Sequence, residues 1–147
     1  MLALISLAGP YRAMAATPVL TASCSFSVQN ILFGAYDPSA PVPLNTIAQF
    51  SVNCNGPSSL TLSIGASHTG GSGASRQMRH LLRSETLAYN LFQDSSYTRA
   101  WGDGAIGSAL VVSVAGRYTG QIFGQIFAGQ DSWVGDYEDT VTITVLP

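Results

Sequence analysis

Two histidines, two cysteines and a short run of acids are the residues here with the chemistry to act. His68 and His80 are the only side chains that would serve as neutral bases. Ser67 precedes His68, but it lacks the G-x-S-x-G setting that lifts a nucleophile onto a strand-to-helix turn. A zinc site needs three or four well-spaced ligands, and two histidines beside a committed cysteine pair do not supply them. Both histidines read as surface residues, and the chain reads as a non-enzyme with no metal and no cofactor. A hydrolase reading would rest only on the presence of Ser, His and Asp. Asp131, Asp136, Glu138 and Asp139 offer carboxylates, yet not at the spacing of a calcium loop, which takes oxygens from alternate positions. They read as a solvated turn whose charges discourage edge pairing. Trp101 and Trp133 both fall in turn sequence, where a ring either caps the core or meets sugar or apolar surface.

Cys24 and Cys54 are the only cysteines, an even count that implies one disulfide in an exported chain. Period-2 alternation puts Cys24, Phe26 and Val28 on one strand face, and Ala48, Phe50, Val52 and Cys54 on another. Closing the loop between them would stabilise by about 3–4 kcal/mol. Export is read from MLALISLAGPYRAMAA, where the apolar run Leu2 to Ala8 leads to the small-x-small site Ala13-Met14-Ala15. Residues 1–15 thus read as a signal peptide and residues 16–147 as the mature domain. The positive charge expected ahead of the run is missing, since Arg12 follows it, so the alternative is a buried first strand. Pro10 and Arg12 break the run far short of the ~20 apolar residues of a membrane-spanning helix. No membrane insertion of the mature chain is expected.

These residues need a scaffold, and the composition names its class. The 147 residues are enough for one domain with a sizeable core. Charged residues are 10% of the chain, no lysine occurs, and the net charge of −2 carries no basic cluster. That argues against nucleic acid and anionic membranes as partners. No long 3.6-residue period appears. Strands are expected at Cys24–Val28, Ile31–Phe33, Ile47–Asn53, Leu60–Ile64, Leu87–Phe92, Leu110–Val114, Gln121–Phe127 and from Tyr137 to Leu146. Asn55-Gly56-Pro57 reads as a turn. YDPSAPVPLN, with Pro38, Pro41 and Pro43, reads as a crossover, and HTGGSGAS as a flexible loop. Phe123 and Phe127 read as one core face. Val141, Ile143 and Val145 alternate with Thr140, Thr142 and Thr144 in a half-buried last strand. Its edge invites pairing with another chain unless something covers it. The whole fits an all-β sandwich of immunoglobulin-like size with about seven strands.

Four stretches taken together resemble one family. They are FGAYDP (Phe33–Pro38), VNCNG (Val52–Gly56), YNLFQDSSYTRAWGDG (Tyr89–Gly104) and FGQIFAGQDSWVGDYEDTVTITV (Phe123–Val145). The family is the spore coat protein U domain, shared with subunits of archaic chaperone–usher pili. The resemblance implies an incomplete immunoglobulin-like sandwich that lacks its last strand and leaves an apolar groove. A periplasmic pilus chaperone would lend a strand to that groove. At the outer-membrane usher, the N-terminal extension of another pilin subunit would replace it, giving β-strand addition. Cys24 and Cys54 would staple the first two strands. Val141, Ile143 and Val145 would line the core beside the groove, with Tyr137 anchoring the start of the last strand. Trp101, Gly102, Asp103 and Gly104 would form a turn motif.

The implied role is a structural subunit of a surface fimbria or spore-coat-like assembly, polymerising by donor-strand exchange and supporting adhesion and biofilm formation. Only eight residues separate Ala15 from Cys24, with Val19 and Leu20 as their large apolar residues, which is short for a donor strand. That places the subunit at the distal end of a fibre, whereas cleavage after Ala8 would lengthen the extension. The alternative is a free-standing secreted module binding carbohydrate or a surface through Trp101, Trp133 and the Gly/Ser loop.

Overall fold

A computed structural model describes residues 23–68 and 75–147, together with the backbone of residues 2–8. The expected cleavage site, Val19 and Leu20, and the centre of the Gly/Ser loop lie outside the described residues. All regular structure within them is β: β1 (Leu2–Ala8), β2 (Cys24–Val28), β3 (Ile31–Ala35), β4 (Leu44–Ile64), β5 (Arg76–His80), β6 (Thr86–Phe92), β7 (Leu110–Ile126) and β8 (Asp136–Leu146). The strands lie in the order β2-β4-β7-β6-β5-β8-β1-β3, and β4 also pairs with β8. That second pairing closes β4, β7, β6, β5 and β8 into a ring, a barrel-like sandwich around one core. β2 lies outside β4, and β1 and β3 lie outside β8.

Two long strands make the closure possible. β4 runs for 21 residues and β7 for 17, paired antiparallel. The turn expected at Asn55-Gly56-Pro57 and the break expected between Val114 and Gln121 are absent. In their place the register shifts between Asn53 and Pro57, within a continuous strand pair. A bulge lets a strand bend from one layer to the other without ending. Proline, lacking an N–H, is tolerated at such a break in the ladder. Alternation survives on both sides of the bend: Phe50, Val52 and Cys54 face inward before it, Leu60, Leu62 and Ile64 after it.

Two elements depart from their expected patterning. On β7 the core face carries Ile122 and Ile126, whereas Phe123 is half-buried on the other face and Phe127 is half-buried beyond the strand end. Phe123 meets the edge of Tyr97 with ring centroids 6.2 Å apart. The run QIFGQIF offers apolar residues to both faces, so its period does not choose between them. β5 has no counterpart among the expected strands, because its inward residues are Arg76, Met78 and His80.

Candidate functional site

The last strand, β8, is where the fold meets its edge problem. Tyr137, Asp139, Val141, Ile143 and Val145 alternate inward and are buried, while Asp136, Glu138 and Thr142 face out. One edge of β8 is closed by parts of the sandwich. β5 pairs at Tyr137 and Glu138, and β4 pairs from Ile143 to Leu146. Between them the N–H groups of Gly65 and His68 donate to the carbonyls of Thr142 (2.9 Å) and Thr140 (3.1 Å).

The opposite edge has a different partner. Over Asp136–Thr142 it pairs with β1, in parallel and in unbroken register from Leu2 opposite Asp136 to Ala8 opposite Thr142. On its far side β1 pairs antiparallel with β3. Among the described residues no other segment pairs with that edge. β3 and β8 thus flank a strand-shaped cleft, which the chain's own first residues fill. An edge that the sequence alone leaves to a partner is covered in cis.

Beneath the closed edge lies a buried polar cluster. Asp139, expected in a solvated turn, is 2% exposed. It stands on the same face as Tyr137 and Val141, so alternation carries it into the core. The Tyr89 hydroxyl donates to Asp139 Oδ2 at 2.5 Å, and the Ser67 hydroxyl is hydrogen-bonded to the same oxygen. The His68 N–H approaches Oδ1 at 3.2 Å. Burial, and then the nearby Asp139 charge, push the Tyr89 phenol well above its ordinary value. Arg76, fully buried, donates to the carbonyls of Ile64 (3.0 Å), Gly65 (2.8 Å) and Trp101 (2.8 Å) and to Asn90 Oδ1 (2.5 Å). Desolvation lowers its pKa from the ordinary guanidinium value, opposed by Tyr89 and Asp139. The group satisfies itself, with Ser67 held by Asp139 and by the backbone of Gln77, and so does not present a free nucleophile.

His80 is likewise no surface residue. Its Nδ1 accepts the Leu82 N–H at 3.0 Å, so the proton sits on Nε2, which faces the Val134 carbonyl at 3.0 Å. The ring meets Tyr137 edge-on at 5.0 Å. His80 therefore welds the 81–84 and 131–135 loops together at the start of β8. His68 is exposed. Among the described residues no three His, Cys, Asp or Glu side chains gather into a metal site.

The remaining residues singled out from sequence are structural in setting. Cys24 and Cys54 face each other across β2 and β4 and form a disulfide. Trp101 caps the core and is 1% exposed. Its indole N–H donates to the Leu62 carbonyl at 2.9 Å. In the turn after it, Asp103 Oδ1 accepts the N–H groups of Ile106 (3.1 Å) and Ala105 (2.9 Å), which hold its carboxyl below the ordinary range. Gly104 has a φ of 96°, and a Cβ on Gly102 would lie 1.7 Å from the Ile106 carbonyl oxygen. Both positions need glycine. Trp133 alone of the two tryptophans is open to solvent, 54% exposed, with the Arg83 guanidinium 4.1 Å from its ring centre. No motif marks Arg76; the one trace of its burial in the sequence is the spacing of two that it shares with Met78 and His80.

Known proteins place this architecture. Residues 11–144 match the Spore Coat Protein U domain. The chain is 32% identical over 129 residues to Protein U of Myxococcus xanthus, covering 77% of this chain and 69% of that protein. It is also similar in fold to a chain of the chaperone–tip adhesion subunit pre-assembly complex CsuC-CsuE, from the archaic chaperone–usher Csu pili of Acinetobacter baumannii. That match has a TM-score of 0.54 and 21% identity, and covers 86% of this chain and 40% of that one. The chain thus spans less than half of the solved chain it resembles, and identity at this level speaks to fold alone. On the family match along nearly its whole length, this chain belongs to the Spore Coat Protein U domain family.

Proposed function

We propose that this chain is an exported structural subunit of a surface fibre or coat, and that it assembles by accepting a β-strand from another protein into the cleft between β3 and β8. The observation that carries this reading is the occupant of that cleft. Leu2–Ala8 is the sole strand on the Asp136–Thr142 edge among the described residues, and it is the segment that reads as the apolar core of a signal peptide. Cleavage of residues 1–15 would take it away. The backbone of β8 and β3, whose buried residues include Ile31, Phe33 and Val141, would then face each other across a gap. Burying a large side chain is worth about 1.5–3 kcal/mol, and an open, apolar sheet edge is a template for pairing.

A pilus chaperone would supply the strand in the periplasm and a fellow subunit would supply it at the usher, in line with the family and with the fold shared with the Csu complex. Adhesion and biofilm formation would be the role of the assembled fibre. The cleft is tested by expressing residues 16–147 alone and with a donor strand fused after Pro147. The unfused chain should aggregate or form mixed oligomers, and the fusion should be a soluble monomer with one cooperative unfolding transition. A stable monomer from the unfused chain overturns the reading. It would favour instead a free-standing secreted binding module, for which the exposed Trp133 ring is the supporting observation.

A further inference from the structure

His80 joins two loops at the start of β8, and it does so in one protonation state. The ring is 6% exposed. Its Nδ1 accepts the Leu82 N–H at 3.0 Å, and its Nε2–H donates to the Val134 carbonyl at 3.0 Å. A neutral imidazole has one donor and one acceptor nitrogen, and both are used here. An imidazolium has two donors and no acceptor. A proton arriving at Nδ1 would therefore set one N–H against another. The contact at Nε2 needs its proton in both states and would survive.

The ring has little room to turn away. A Cβ on Gly135 would lie 2.1 Å from Nε2, and the Tyr137 ring stands edge-on at 5.0 Å with its hydroxyl given to the Trp133 carbonyl at 3.0 Å. Charged groups surround His80 on each element packed against it. They are Arg79 beside it on β5, Arg83 and Glu85 in the loop to β6, Asp131 in the 131–135 loop, and Asp136 and Glu138 on β8. Deeper in the core Asp139 is taken up by Tyr89 and Ser67. Neither ring nitrogen has a carboxylate as its partner. The loop on the Nδ1 side is lightly tied. The His80 N–H donates to the Glu85 carbonyl and the Leu81 N–H to the Asp136 carbonyl, both at 2.9 Å. Between those ties, the bond from Leu82 to the ring is the one hydrogen bond that residues 82–84 make to the described residues.

We propose that His80 is an acid-operated latch for residues 82–84. A neutral ring holds the segment against the sandwich. A protonated ring releases Leu82 and keeps Val134, so one loop opens and the other stays. Leu82 is already 89% exposed, so no packed core opposes its release. Arg83, 4.1 Å from the Trp133 ring centre, then leaves that ring and uncovers its apolar face. The same loop walls a hollow of about 530 Å3 together with Arg79 and Glu138, which changes shape with it. The trigger is a side chain that ordinarily changes charge between about pH 5 and 8. Because one bond breaks while its neighbours hold, the response is local opening and not unfolding. The inference does not rest on strand acceptance, since the 81–84 loop follows β5 on the closed edge of β8 and the cleft lies on the other.

The isotope-labelled full chain is followed by NMR from about pH 7.5 to about pH 5. The His80 ring should pass from the Nε2–H tautomer to the doubly protonated form. In step with it, the hydrogen-exchange protection factor of the Leu82 amide should fall by about tenfold or more, while that of Leu81 stays within about twofold. Two substitutions separate the ring's contacts. His80→Asn sets an amide oxygen near the place of Nδ1 and should keep Leu82 protected at both ends of the range. His80→Gln reaches instead towards the place of Nε2 and should leave Leu82 unprotected throughout. The native titration decides alone if neither variant folds. A ring still neutral at about pH 5 overturns the proposal, as does Leu82 protection that is unchanged when the ring gains its proton. Loss of Leu81 and Leu82 protection together, or an acid response that persists in His80→Asn, overturns it equally.

Discussion

Along one edge of β8 the partners are β5, the loop at Gly65 and His68, and β4; along the other the partner is Leu2–Ala8. The first edge is part of the sandwich. Beneath it Asp139 links β8 to Tyr89 of β6 and to the loop at Ser67, and Arg76 links β5 to the ends of β4 and to Trp101. The second edge depends on one seven-residue strand from the start of the chain. A sheet edge needs backbone partners whatever their source. The closed edge builds them into the fold, whereas the cleft edge takes them from a segment that, on the function proposed above, is cleaved and replaced.

That contrast is broken most forcefully at Asp139. Asp139→Ala leaves Tyr89, Ser67 and the buried Arg76 guanidinium without their carboxylate. Removing one member of a buried charged group costs about 3–5 kcal/mol, read as a fall in the urea-unfolding free energy. A donor strand fused after Pro147 should not restore it, since the damage lies on the other edge. Restoration by the donor would mean that the two edges are not separable. Next comes the staple at the rim, where Cys24→Ser with Cys54→Ser should lower stability by about 2–4 kcal/mol. The same loss is expected in the full chain and in the donor-fused chain, because β2 pairs with β4 and touches neither edge of β8. A loss confined to one of the two forms would tie the disulfide to the cleft. Smaller again is Tyr89→Phe, which removes one hydrogen bond to a charged acceptor and should cost about 1.5–3 kcal/mol in the same assay.

The two edges also differ in how far the sequence discloses them. Val141, Ile143 and Val145 show their inward face through alternation with threonine, and the same count carries Asp139 inward. Charge argues against that count: an acid near Asp136 and Glu138 reads as solvated without its partners, and Tyr89 and Ser67 lie 50 and 72 residues away. β5 is hidden for a related reason. Its core face is Arg76, Met78 and His80, so the polarity pattern that marks a strand is inverted there. The bend in β4 and β7 looks like two turns because Asn-Gly-Pro is turn chemistry, while a bulge demands much the same residues. The cleft is the converse case. The apolar strand on its edge is plain in the sequence, but the identity of its cover is a matter of tertiary pairing, and Leu2–Ala8 carries the marks of a leader as much as of a strand.

The smallest effect separates the edges by pH. In the folded chain the Tyr89 phenol is held well above 10.0, first by burial and then by the Asp139 charge, while in the unfolded chain it titrates near that ordinary value. Below pH 10 both states keep the proton, and the contribution of Tyr89 to stability is fully present. Above it the unfolded chain loses the proton and the folded chain retains it. The folded state then binds more protons, and stability falls as pH rises towards the folded pKa. The slope for one such group approaches about 1.4 kcal/mol per pH unit. Tyr97, also raised by burial, adds a background of the same sign that substitution at Tyr89 leaves in place. Urea-unfolding free energies measured from pH 9 to 11 should therefore fall more steeply for the native chain than for Tyr89→Phe. The difference in slope should be the same with Leu2–Ala8 or a fused donor in the cleft, since the cluster belongs to the closed edge. Parallel pH profiles would remove Tyr89 as the cause, and a difference that changes with the occupant would show that the cleft strand reaches the cluster after all.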